Sequence, residues 1–265
     1  MGSDTEPLRA DLPQIGDIIP NHNAGCPPGI DLFDGVQTHL GGDIDAEVRF
    51  YRRECEWTEE GQTLTLEYEA FELADALFLV DAMPVAPNGR SLTLVLDLTR
   101  MRALLVEVTF PTPEEAQSGV LARLAGTGSQ SAVQVRYRHA PVGDNLAQPF
   151  APTRALVGKH LRYTYSATHV YDHIYLSERY YSWFCREGPD REMGDFEECD
   201  YFELGPEIYL VVWREKLLPC VGLLVENHAA MIATGKICGA DAYTGAVGNT
   251  RVGASIRLIA DSSGA

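Results

Sequence analysis

Two stretches decide the fold: FELADALFLV at Phe71–Val80 and FELGPEIYLV at Phe202–Val211. They share Phe-Glu-Leu, a short break and a run of apolar or aromatic residues, and 202 − 71 gives an offset of 131. A period far above 50 residues excludes a solenoid unit and indicates two copies of one domain. Further on, LTLVLDLTRMRALLV (Leu92–Val106) lies parallel to PCVGLLVENHAAMIA (Pro219–Ala233).

Working outward, both copies read as short alternating runs rich in Val, Leu, Tyr and Thr, the pattern of half-buried strands. In the first copy these are Ala46–Tyr51, Thr63–Tyr68, Ala76–Asp81, Ser91–Leu98, Ala103–Thr109 and Ala132–Tyr137. In the second they run from Arg162–Ser166 and His169–Leu176 through Glu207–Arg214 and Pro219–Glu226 to Gly253–Ile259. One helix is expected over Pro113–Leu124, capped by Thr112 with Glu114 and Glu115 in its first turn. Residues 1–42, rich in Pro, Gly and Asp, read as an irregular leader, and the QPFAPT segment (Gln148–Thr153) as the boundary between copies. The expectation is an all-β chain of two tandem antiparallel barrels, 43–150 and 151–265.

With 265 residues the chain can bury a core without staples. Lys+Arg number 21 against Asp+Glu 38, a net charge of −17. Nucleic acid and anionic membranes both require a basic footprint, so neither is an expected partner. No run approaches 18 uninterrupted apolar residues, and MGSDTEPLRADLPQ lacks the basic start and apolar core of a secretory signal. The expectation is therefore a cytoplasmic chain. The six cysteines show no CxxC pair or metal-finger spacing and read as free thiols. Neither a metal nor a cofactor is expected: no Walker loop, GxSxG, HExxH or strand-GxGxxG-helix is present.

The second copy carries the chemistry. Alternation places Tyr163 with Tyr165, and His169, Tyr171, His173 and Tyr175 together, each set on one strand face. Tyr209, Val211, Trp213 and Glu215 align on a third, and Trp183 joins the candidate ligand contacts from a fourth strand. A barrel turning such faces inward encloses a polar aromatic interior, and a carboxylate buried there has its pKa raised. The first copy places Ala82-Met83-Pro84 where Trp213-Arg214-Glu215 stands, and it has no Tyr-Thr-Tyr strand.

VGKHLRYTYS, YDHIYLSERYYSWFC, ELGPEIYLVVWREKLLPC and TGKICG follow one another as in the molybdenum-cofactor biosynthesis protein F (MoaF) family, which the second half resembles. LTLEYEAFELADALFLVDAM and SLTLVLDLTRM resemble that family's N-terminal domain. The resemblance covers most of residues 43–259 and implies a calycin-type, lipocalin-like double barrel. LVGKHLRYTYS and LGPEIYLVVWREK are also similar to the paired-tyrosine and W-x-E strands of phenolic acid decarboxylases, small calycin barrels that work without a cofactor. That similarity implies Tyr163 and Tyr165 as the paired tyrosines and Glu215 as the acid. The decarboxylases' arginine has no match, its place being taken by Met193-Gly194-Asp195.

Three readings follow. In the first, the C-terminal barrel is a cofactor-free lyase, isomerase or cyclase acting on an aromatic or polyketide-like metabolite. Glu215, Tyr163, Tyr165 and His173 carry the proton chemistry, and His169, Tyr171, Tyr175, Trp183, Tyr209 and Trp213 bind the substrate. In the second, the same barrel is a non-catalytic carrier of a small metabolite linked to molybdenum-cofactor biosynthesis. In the third, the barrels are filled by their own side chains and serve an interaction. All three are compatible with a homo-oligomer.

Overall fold

The computed structural model describes residues 27–84 and 89–263. Cys26 and the first part of the leader lie outside the described residues. The chain forms two eight-stranded antiparallel units in tandem. The first consists of β1 (Gln37–Leu40), β2 (Ala46–Phe50), β3 (Glu54–Glu59), β4 (Gln62–Ala74), β5 (Leu77–Pro84), β6 (Arg90–Asp97), β7 (Arg102–Thr109) and β8 (Gln134–Pro141). Each strand pairs with the next, and the curled sheet brings its edges together at one bridge, Leu40 to Val142.

The second unit consists of β10 (Lys159–Ser166), β11 (His169–Tyr175), β12 (Tyr180–Glu187), β13 (Gly194–Gly205), β14 (Ile208–Arg214), β15 (Cys220–Asn227), β16 (Ile232–Ala240) and β17 (Val247–Asp261). Here the β10–β17 ladder and the β12–β13 pairing close the ring completely. A two-residue strand β9 (Ala151–Pro152) adds to β13 from outside. An up-and-down barrel of eight strands leaves no free edges and an interior wide enough for side chains or one small ligand.

Three strands lie outside the runs expected from sequence, β1, β3 and the two-residue β9. β1 falls inside the segment expected to be irregular, held by Leu40, which is fully buried. β3 reads ECEWTE, a short alternation in which Cys55 and Trp57 point inward. The expected single helix is two, α1 (Pro113–Ala116) and α2 (Val120–Gly126), because Gly119 starts the second and interrupts the first. Thr112 caps α1 in a reciprocal capping box with Glu115.

The duplication is visible residue by residue. A register shift sits at Glu72/Ala74 and again at Glu203/Gly205, and left-handed residues follow at Ala76 (φ 53°) and Glu207 (φ 56°), both 131 apart. Past the β5–β6 turn the offset becomes 130, since Asp97 faces Leu77 as Asn227 faces Ile208. The parallel of Leu92–Val106 with Pro219–Ala233, an offset of 127, is therefore corrected by three residues. The turn between β14 and β15 is one residue shorter, and turns absorb such changes.

Three apolar cores result. One fills the first barrel with Phe33, Leu40, Val48, Phe50, Trp57, Leu66, Leu96 and their neighbours. A second lies between the barrels, where Phe71, Leu79, Val95 and Val106 meet Phe202, Leu210, Val212 and Val225. The third lies inside the second barrel and is built largely of tyrosine. Polar pairs mark the contact between barrels. Lys236, 2 % exposed, holds Asp81 and Ser91 (2.6 Å) across it. Asp97 is anchored by Arg100 and Arg102 at 3.1 and 3.0 Å.

Packing in the second barrel depends on one glycine. Gly222 faces Trp213 across the β14–β15 ladder, and a Cβ there would lie 1.9 Å from the indole. The first copy reverses the sizes, with Ala82 opposite Leu92. Gly222→Ala is expected to expel the Trp213 ring and cost about 1–3 kcal/mol, the usual range for overpacking. Urea denaturation and the near-ultraviolet indole dichroism check this; an unchanged indole band would refute it.

Candidate functional site

The inward faces of β10, β11 and β12 carry aromatic residues at every second position. Tyr163 and Tyr165 come from β10, Tyr171, His173 and Tyr175 from β11, and Tyr181 and Trp183 from β12. The outward faces carry the charges. Asp172, between Tyr171 and His173, is bound there by Arg162 (2.6 Å) and Arg186 (2.7 Å). Burial alone would raise its carboxyl, but hydrogen bonds from Arg162, Arg186 and His160 prevail and hold it well below the usual range. This double-sided pairing fixes which face of β11 looks inward.

At the centre is Glu226, on β15 and fully buried. Its Oε1 accepts hydrogen bonds from the hydroxyls of Tyr163 and Tyr175, the latter at 2.5 Å. The two phenol oxygens are themselves 2.7 Å apart. Oε2 lies 2.8 Å from Nε2 of His228, which sits in the β15–β16 turn. Burial, reinforced by the Glu226 charge, pushes both phenols far above their usual pKa, so they stay protonated donors. The equivalent of Glu226 in the first barrel is Leu96: Phe78 faces Leu96 as Tyr209 faces Glu226.

His173 is packed on this cluster, its ring 4.1 Å from that of Tyr163, 5.0 Å from Tyr181 and 5.9 Å from Trp213. Burial lowers its pKa to about 4, with the attraction of Glu226 and Asp172 too weak to compensate. The imidazole is neutral at pH 7. Its Nδ1 is buried without a hydrogen-bond partner, and so is Nε1 of Trp183, its direct neighbour across the β11–β12 ladder.

Glu215 follows β14 and accepts a 2.8 Å hydrogen bond from Trp213 Nε1. Burial raises its carboxyl, against hydrogen bonds from Trp213 and Glu197 that lower it. Glu197, on β13 and 1 % exposed, is raised by burial and then by the charge of Glu215. A second carboxylate beside a buried carboxyl group disfavours its ionisation further. Lys216 does not pair with Glu215; its ammonium binds Asp195 and its backbone N–H donates to Glu197 at 2.9 Å. No tyrosine hydroxyl bonds Glu215 among the described residues; Tyr163 belongs to Glu226.

The structure thus brings Tyr163, Tyr165, Tyr171, His173, Tyr175, Trp183 and Trp213 together inside the barrel, with Glu215 linked through Trp213. Tyr209 is half-buried at the rim, its ring 5.0 Å from that of His228. His169 stands apart at the very start of β11, with Nδ1 3.1 Å from Thr168 Oγ1. Glu226, Glu197 and His228 were not singled out from the sequence. A comparison of the copies at the right offset reveals the first two: Leu96 aligns with Glu226 and Leu66 with Glu197. A carboxylate where a homologous position holds a core leucine is a site signal.

Outside the barrel, a cleft of about 1020 Å³ lies between α1–α2 and the outer face of β13–β14. On its β13–β14 side Arg214 pairs with Asp200 and Glu198, and Glu198 also accepts from Ser129 at 2.8 Å. The five described cysteines are buried free thiols. Among the described residues, no three His, Cys, Asp or Glu side chains are grouped to hold a metal ion. Nor is any helix among them long and apolar enough to cross a membrane.

Comparison with known proteins agrees with this layout. Residues 17–112 match the MoaF N-terminal domain and residues 150–262 the MoaF C-terminal domain. Protein MoaF of Klebsiella aerogenes is 31% identical over 207 residues, covering 76% of this chain and 79% of that protein. The chain belongs to the MoaF family. The first MoaF match begins at residue 17, so it includes β1 and part of the leader. A solved structure described as a putative beta-lactamase from Burkholderia vietnamiensis is 15% identical, with a TM-score of 0.34. It covers 39% of this chain and 95% of its own, and at that score nothing transfers from it.

Proposed function

We propose that the C-terminal barrel binds a small planar metabolite, and that the N-terminal barrel is its structural partner. The observation that carries this reading is Glu226, with no exposed surface, bonded to two phenols and one imidazole. Burying an acidic group costs several kcal/mol before its partners offset it, and the first barrel folds with leucine at the same place. The fold does not require the group; a ligand does. The tyrosine rings supply rigid amphipathic walls, and the unpartnered nitrogens of His173 and Trp183 supply polar contacts not used by the protein itself. MoaF membership gives such a ligand its context, among the metabolites of molybdenum-cofactor biosynthesis.

A catalytic reading of the same site has one specific support. Tyr163 is a protonated phenol bonded to Glu226 beneath a neutral imidazole, a set able to deliver and recover a proton without a cofactor. The Glu215–Glu197 pair is a second proton store joined to it through Trp213. The test is native mass spectrometry of the full chain as purified, against Glu226→Leu. A non-covalent adduct on the wild type that is absent from a folded Glu226→Leu is the expected result. The same adduct on both would move the site elsewhere. Turnover of the identified ligand by the wild type, lost in Tyr163→Phe, would establish the catalytic reading.

A further inference from the structure

The inner wall of the second barrel has a charge pattern that restricts what can enter. Glu197, Glu215 and Glu226 project from β13, the end of β14 and β15, and the one lysine whose charge Glu197 feels, Lys216, is itself held on Asp195 beside them. The basic side chains that form ion pairs on these strands are each already held by a carboxylate. Lys159 binds Asp261 at the rim, Arg162 and Arg186 bind Asp172 on the outer face, and Arg214 binds Asp200. Lys216 binds Asp195, and Lys236 binds Asp81 between the barrels. His228 already faces Glu226.

An anionic ligand would enter a low-dielectric interior lined by acidic groups and find the nearest cations, Lys216 and His228, already paired. Burying an unpaired anion costs several kcal/mol, and neighbouring carboxylates add repulsion. The hydrogen-bonding groups left over point to the alternative. Nε1 of Trp183 can only donate, so it requires an acceptor oxygen. Nδ1 of His173, directly across the ladder from it, can accept or donate according to tautomer. Cross-strand neighbours of this kind have Cβ atoms about 5 Å apart, within reach of one small functional group. Around them Tyr171 lies 6.3 Å from Trp183 and Tyr163 4.1 Å from His173, ring centre to ring centre.

From this we infer that the barrel selects an uncharged, flat carbonyl compound, its oxygen received by Trp183 Nε1 beside His173, and rejects carboxylic acids. The inference rests on the binding reading above and specifies its ligand class. It also separates this barrel from the phenolic acid decarboxylases, whose substrates are acids.

Three matched probes test it: 4-hydroxyacetophenone, 4-hydroxybenzoate and 4-ethylphenol, titrated calorimetrically into the full chain at pH 7.5. The ketone is expected to bind at least tenfold more tightly than the benzoate. Trp183→Phe should weaken the ketone about five- to twenty-fold, the worth of one hydrogen bond in a buried site, and leave ethylphenol unchanged. Benzoate binding as well as the ketone, or a ketone affinity indifferent to Trp183→Phe, overturns the inference while the binding reading stands. Failure of all three probes to bind removes both. The wild-type comparison of ketone with benzoate needs no variant, so a misfolded Trp183→Phe does not decide the outcome.

Discussion

Glu226→Ala is expected to lower the unfolding free energy by about 2–6 kcal/mol, because two buried phenols each lose their acceptor at roughly 1–3 kcal/mol. The hydroxyls of Tyr163 and Tyr175 would retain only each other, and a pair of phenols 2.7 Å apart can satisfy one donor, not two. The triple variant Tyr163→Phe, Tyr175→Phe and Glu226→Leu removes donors and acceptor together and recreates the apolar interior of the first barrel. It should recover most of the loss, since replacing a whole buried polar network by packed apolar groups is often neutral or stabilising. Urea denaturation of the wild type, the single and the triple variant reads both effects. A triple variant as unstable as the single would mean that the cluster organises the barrel and that its polarity is structural.

The second large effect is on the pH dependence of stability. Glu197 is raised above its ordinary 4.5 by burial and by Glu215, so above pH 4.5 the unfolded chain releases a proton that the folded chain keeps. Stability from this group is complete below pH 4.5 and declines as pH rises, by about 1.4 kcal/mol per pH unit for one proton. His173 acts in the opposite sense. Burial lowers it from 6.5 to about 4, so its contribution is complete above 6.5 and is lost as pH falls toward 4. Between pH 4.5 and 6.5 the two slopes cancel, and above 6.5 the carboxyl slope stands alone. Glu197→Gln is therefore expected to gain on the wild type steadily from pH 6.5 to 8.5 in urea midpoints. Parallel curves over that range would show that the Glu197–Glu215 pair ionises in the folded protein as it does in the unfolded one.

Much of the second barrel could be read from alternation alone. In RYTYS and HVYDHIY every second residue is aromatic, which fixes one face of each strand, and the structure buries Tyr163, Tyr165, Tyr171, His173 and Tyr175 together. Glu226 stayed hidden for a geometrical reason. The offset of 127 matched Leu223 to Leu96, and an error of three residues, being odd, turns a strand over and swaps its inner face for its outer. Glu226 then appears as one more solvent-facing charge in VENH. Glu197 stayed hidden because DFEECD reads as an acidic turn, whereas β13 extends through it and faces β12. β3 is different: ECEWTE alternates charge with Cys55 and Trp57 and is legible as a strand by the same rule.

The core between the barrels has a further meaning. Phe71, Leu77, Leu79 and Val95 on one side correspond to Phe202, Ile208, Leu210 and Val225 on the other, so both copies present the same wall to each other. A surface that binds its own equivalent is the geometry of a two-fold symmetric dimer, here completed within a single polypeptide. The symmetry is broken in the polar pairs. Asp81 and Lys236 form an ion pair, while their counterparts Val212 and Val106 are apolar members of the same core. Each half therefore differs from a copy of itself as a mate, and a charged lock favours the half it is tethered to over the same half of another chain. The barrel without the acidic cluster is thus not dispensable: removing it would uncover a sticky wall built to recognise a twin.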